Sequence, residues 1–175
     1  MRRRLVALIT LGLLGGGMVA ASPATAQPSV LNLLTCPLGT QSTTYSPGLT
    51  YTTRPTSYVS EGVVTGCVDL SGHGITSATY TGIGSGTAGC LESSLTNTMS
   101  VNWSNGQSST VTGTGTIQLK PNGTSVVVHS GQVTSGAFNG SGVTLTLVLT
   151  SLDLLGCLTP EGLTNTGGPV TLTVL

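Results

Sequence analysis

Period-two hydropathy, three Asn-Gly dipeptides and an even number of cysteines together predict an all-β protein. The expected architecture is an antiparallel sandwich or barrel of about eight to ten strands, braced by two disulfides. Helical patterns are nearly absent, and Thr, Ser, Gly and Val dominate the chain beyond its first residues. β-Branched side chains restrict helix rotamers and suit a pleated surface.

The amino end reads differently. Arg2, Arg3 and Arg4 precede an apolar run from Leu5 to Ala21, and Ala24-Thr25-Ala26 supplies small residues before Gln27. That order is the pattern of a secretory signal peptide. The run is too short and too glycine-rich (Gly15, Gly16, Gly17) for a membrane span. The expected division is a signal over 1–26 and one all-β domain over 27–175, with the product secreted into the medium or loosely associated with the cell surface.

Cleavage would remove three of the five basic residues. Arg54 and Lys120 would then face Glu61, Asp69, Glu92, Asp153 and Glu161, a balance of 2 − 5 = −3 with histidines neutral. Two cations cannot build a phosphate-binding patch, so nucleic acid is not an expected partner. Cys36, Cys67, Cys90 and Cys157 allow three pairings, of which Cys36–Cys67 with Cys90–Cys157 is the favoured one. Each such bridge stabilises by roughly 3.5–4.5 kcal/mol in the loop-entropy description. No cysteine pair has the close spacing of zinc ligands, so neither a metal nor another cofactor is expected.

Strands follow in order. Val30 to Thr35 opens the domain, and Ser46-Pro47-Gly48 reads as a turn. Glu61 to Asp69 and Ser77 to Gly82 flank the loop Ser71-Gly72-His73-Gly74, and Gly82, Gly84, Gly86 and Gly89 point to a bend or bulged strand. Met99, Val101 and Trp103 then alternate with polar residues, as do Val111 to Leu119, Val143 to Leu149 and Val170 to Val174. Asn105-Gly106, Asn122-Gly123 and Asn139-Gly140 recur every seventeen residues between these runs. Read as type I′ turns, they join strands near 97–104, 107–119, 124–134 and 142–150 into a meander.

Thr35-Cys36-Pro37-Leu38-Gly39-Thr40, Trp103-Ser104-Asn105-Gly106-Gln107-Ser108-Ser109 and Gly131-Gln132-Val133-Thr134-Ser135-Gly136-Ala137-Phe138 carry a resemblance. With Tyr45-Ser46-Pro47-Gly48-Leu49, they make the chain resemble small secreted Gly/Ser/Thr-rich β proteins of unassigned function from high-GC Gram-positive bacteria. The resemblance implies secretion and a β-rich fold, and it transfers no catalytic residue.

Catalytic patterns are weak. His73 lies four residues after Asp69 and His129 lies on a strand, yet no Gly-x-Ser-x-Gly elbow accompanies them. The carboxylates are scattered, without the facing pair of a glycosidase. Cys36-Pro37 lacks a second nearby cysteine to brace an inhibitory loop. The expectation is a non-enzymatic structural or binding protein, with a protease inhibitor or hydrolase as lesser alternatives. Tyr45, Tyr51 and Tyr58, with Arg54 between them, form the expected contact surface for a cell-wall glycan or protein partner. Self-association is the other expected interaction.

Overall fold

The computed structural model describes residues 34–119, 124–149 and 151–175. It contains ten strands: β1 (Leu34–Cys36), β2 (Leu38–Leu49), β3 (Arg54–Thr65), β4 (Val68–Asp69) and β5 (Ser77–Ala88), then β6 (Ser93–Trp103), β7 (Ser108–Leu119), β8 (Ser125–Gly136), β9 (Gly142–Leu149) and β10 (Leu163–Val174). A 3-10 helix, Ser151–Leu158, joins β9 to β10. The signal segment, Val30 to Leu33 and Asn122-Gly123 lie outside the described residues.

Eight strands form a closed up-and-down barrel. Consecutive antiparallel pairings run from β2 through β3, β5, β6, β7, β8 and β9 to β10. β10 completes the ring: Leu163 to Pro169 pair with β2, while Val170 to Val174 pair with β9. β1 adds to the free side of the second half of β10, and β4 adds to β1. Closure satisfies the hydrogen-bonding edges that an open sandwich would leave.

Alternation explains which way each strand faces. On β6, Leu95, Asn97, Met99, Val101 and Trp103 are buried while the residues between them are exposed. Val143, Leu145, Leu147 and Leu149 are likewise buried on β9, and Val170, Leu172 and Val174 on β10, between residues that are half-buried or exposed. The outer wall is rich in hydroxyls, with Val59, Val63, Ile83 and Val148 also exposed on it. Ser57, Ser85, Thr96, Thr114, Ser130 and Thr144 occupy one register row across six strands. Such rows hydrate the barrel without charge, in keeping with a chain that is only 6% Asp, Glu, Lys and Arg.

Both expected disulfides form, Cys36–Cys67 and Cys90–Cys157. They brace opposite ends. Cys36–Cys67 ties β1 to the loop after β3, and Cys90–Cys157 ties the β5–β6 connection to the 3-10 helix.

Three local readings are corrected. Ser46-Pro47-Gly48 is not a turn but an irregularity within β2, where Thr44 pairs with Asn165 and Leu49 with Leu163. Four residues there face one on β10, a bulge of the kind that tolerates proline. The glycines at 82, 84 and 86 belong to a regular strand, because β5 pairs in unbroken register with both β3 and β6. Neither Asn105-Gly106 nor Asn139-Gly140 is a type I′ turn, since in each dipeptide only the glycine has positive φ, at 84° for Gly106 and 87° for Gly140. Gly106 N donates to Trp103 O at 3.0 Å, and Trp103 N donates to Gln107 O at 2.9 Å. The result is a three-residue loop ending in a left-handed glycine.

Candidate functional site

Two polar constellations stand out, one on a loop and one inside the barrel. The loop constellation begins at Asp69, the last residue of β4. Its Oδ1 accepts from Ser71 N at 2.8 Å and from Ser71 Oγ, and its Oδ2 accepts from Ile75 N at 3.0 Å. Slight burial pushes the carboxyl's pKa upward, but these bonds and one from the Gly74 backbone outweigh it and hold the value at about 2. Ser71 Oγ also lies 2.6 Å from His73 Nδ1. The His73 ring packs on Phe138 at 4.8 Å, and Asn105 Nδ2 donates to His73 O at 3.1 Å.

Asp, Ser and His thus meet, but in the wrong order for acyl transfer. A catalytic triad places histidine between the carboxylate and the serine. Here serine is in the middle: its proton goes to Asp69, so His73 Nδ1 must be the donor toward it. The only group that accepts from the hydroxyl among the described residues is the Asp69 carboxylate, a weak base with its pKa held at about 2. The arrangement fastens the loop to the 103–107 hairpin and to Phe138, whose own left-handed φ of 63° turns its ring onto Trp103 at 5.3 Å.

The second constellation is the barrel lumen. Tyr45 and Tyr58 are buried, with 6% and 4% of their surface exposed, and Tyr80 and Gln41 join them. Tyr80 Oη donates to Gln41 Oε1 at 2.7 Å, and Gln41 Nε2 donates to Thr43 Oγ1 at 2.9 Å. Thr166 Oγ1 approaches Tyr45 Oη at 3.5 Å. The Tyr58 ring stands 6.1 Å from Tyr45 and 5.9 Å from His129. Asn97 Nδ2 lies 3.4 Å from His129 Nδ1. Burial drives all three phenol pKa values up, and it drives His129 down to about 4.

Among the described residues, Tyr58 Oη and Asn97 Oδ1 in the lumen have no hydrogen-bond partner. Ser125 Oγ shares that status at the far end, beside the undescribed segment 120–123. Buried polar atoms in native proteins are nearly always bonded to protein or water, so each orphan marks a place where something else belongs.

The predicted tyrosine surface is not assembled. Tyr45 and Tyr58 point inward, because the β2–β3 hairpin turns their faces toward the lumen. Tyr51 alone is exposed, in the loop between those strands. Arg54 is engaged as a tie, its guanidinium donating to Gly48 O at 2.9 Å and to Glu161 O at 3.0 Å. Glu61 stands on the outer wall and Glu92 is exposed beyond β5. Trp103 is core, with Nε1 donating to Ser109 Oγ at 2.8 Å.

Asn97 is a site residue that catalytic and binding motifs do not mark, although its parity with Met99, Val101 and Trp103 places it on the buried face. Gln41 and Ser60 carry no comparable signal, since polar and apolar residues are mixed on both faces of β3 and polar residues dominate both faces of β2. Among the described residues, no three His, Cys, Asp or Glu side chains gather as metal ligands, and no helix is long and apolar enough to cross a membrane. No family model matches the chain, and no curated protein is significantly similar to it.

Proposed function

We propose that this chain is an exported, non-enzymatic protein that works by binding, in the extracellular medium or loosely at the cell surface. The observation that carries the reading is the polar lumen, in which Tyr58 Oη and Asn97 Oδ1 are buried without partners among the described residues. An eight-stranded barrel has an interior wide enough for its own side chains or for one small ligand. The signal-like amino end and the two disulfides support export. The non-enzymatic reading draws on the Asp69–Ser71–His73 order, which spends the serine proton on the carboxylate.

Native mass spectrometry of the mature protein, purified from its own culture medium, tests the role. A discrete small-molecule adduct, exchangeable and saturable, is the expected result. A bare protein mass, with no thermal stabilisation by medium or wall extract, would count against binding.

A surface role keeps one specific support. Tyr51, Leu91, Leu155 and Leu158 are exposed on and around the loops joined by Cys90–Cys157. Co-sedimentation with isolated cell walls, lost in Tyr51→Ala with unchanged thermal stability, would favour a glycan-binding surface at that end. A long-lived oligomer of the pure protein would favour self-association instead.

A further inference from the structure

Tyr58, Gly84 and Asn97 occupy one register row on β3, β5 and β6. Because Gly84 has no side chain, the Tyr58 ring can lie over it. The Tyr58 ring lies across Gly84, where an added Cβ would overlap its edge at Cε1 and Cζ, and its hydroxyl is buried without a hydrogen-bond partner among the described residues. Asn97 reaches the same region from the other side. A Cβ on Gly82 would stand 3.6 Å from Asn97 Oδ1 and 2.6 Å from Ser60 Oγ, so the amide oxygen and that hydroxyl share one corner. Ser60 Oγ makes only a long contact with Gly82 O, at 3.5 Å. His129 closes the group, in contact with the Asn97 amide and the Tyr58 ring.

We infer that the lumen between Tyr58, Ser60, Asn97 and His129 is a binding site for one uncharged group that accepts from Tyr58 O–H and donates to Asn97 Oδ1. The inference rests on the binding role proposed above and gives it a location and a ligand chemistry. Phenol oxygen has a proton to give, and amide oxygen has lone pairs to fill; a hydroxyl, a primary amide or water satisfies both at once. Charge is unsuited to the site. The buried polar residues of the described chain are Gln, Thr, Ser and Asn, with no Asp, Glu, Lys or Arg among them, so an ionic ligand would meet no counter-charge. Flat rings border the place on two sides, at Tyr45–Tyr58 and Tyr58–His129, which favours a small planar or compact molecule.

The sign of one substitution tests the site. If Tyr58 Oη is truly orphaned, Tyr58→Phe removes an unsatisfied buried group and the protein gains thermal stability. If an uncharged group fills the site, the same change costs a hydrogen bond and lowers Tm by about 2–6 °C. The expected result is the loss, with Asn97→Leu non-additive with it because both contact one bridging molecule.

Two further measurements separate the sources. Water-oxygen magnetic relaxation dispersion on the oxidised mature protein detects a long-lived internal water if solvent fills the site. Acetamide, formamide and glycerol, compared with acetate and guanidinium, detect a small solute as a stabilisation confined to the neutral probes and lost in Tyr58→Phe. Either signal supports the site. A more stable Tyr58→Phe, or the absence of both signals, overturns it. A dry lumen in a protein that still carries an adduct from its medium would refute this location while leaving the binding role standing.

Discussion

Tyr80 lies face-down on Gly62, its direct partner across the β3–β5 ladder, so closely that a Cβ on the glycine would overlap the ring. The relationship repeats with Tyr58 over Gly84 and His129 over Gly115, each again a paired residue on the adjacent strand. Ring and glycine are complementary: the ring covers backbone that would otherwise lack a side chain, and the glycine lets the ring lie against the wall instead of across the lumen.

Gly62→Ala should destabilise the protein by about 1–3 kcal/mol, since the methyl group displaces the packed Tyr80 ring, and Gly84→Ala by at least as much, since its methyl meets backbone Thr96 O as well as the Tyr58 ring. Thr81→Ala, outward on β5, should change stability by less than about 0.5 kcal/mol. Urea midpoints for the three variants check this. Equal effects at all three positions would mean that the rings do not depend on the glycines.

The two disulfides should differ in worth. They span 31 and 67 residues. In the loop-closure description, removing Cys90–Cys157 should cost about 0.7 kcal/mol more than removing Cys36–Cys67. Paired Cys→Ser variants, unfolded in urea at one temperature, give the comparison.

Acid should weaken the fold in two stages. His129 has its pKa lowered from 6.5 to about 4 by burial, so the unfolded chain binds its proton first. Stability therefore falls as pH drops from about 6.5 to 4, by a total of about 2–3 kcal/mol. Asp69 is also depressed, to about 2, and its contribution is present above pH 4 and lost as pH falls toward 2. His129→Gln should flatten the upper stage and leave the lower one. An unchanged pH profile in that variant would remove His129 as its cause.

Loop order should depend on Asp69 more than on His73. Asp69 accepts from the backbone of Ser71 and Ile75, whereas His73 reaches the cluster only through Ser71 Oγ. Asp69→Asn should speed hydrogen exchange at the Ser71 and Ile75 amides at least tenfold, with far-ultraviolet circular dichroism unchanged. His73→Ala should leave both rates within about threefold of the parent. The reverse ranking would show that the histidine holds the loop.

Much of the fold is local and so could be read from the chain. Val143 to Leu149 alternate cleanly because one face meets apolar core and the other water, and that contrast is written into the residues. Gly106 marks its hairpin because few other residues take positive φ without strain. The cysteine pairing was legible only as a preference among three. The hairpin of β2 and β3 was not legible: Gln41, Thr43 and Tyr45 face inward while Thr40, Ser42 and Thr44 face outward, and hydropathy hardly separates the two sets. For the same reason Tyr45 and Tyr58 read as a surface and prove to be interior.

By itself, the sequence determined the β class, the order of the later hairpins and the parity that places Asn97 beside Met99 and Trp103. Those properties depend on neighbours within a few residues. Tertiary structure decided that β10 closes on β2, joining Asn165 to Thr44 across 121 positions, and thereby made a barrel of what could have been a sandwich. Closure also brought Tyr58, Asn97 and His129 together from three separate strands. Strand register and the curvature of the whole sheet set that meeting, and neither is carried by any local stretch of chain.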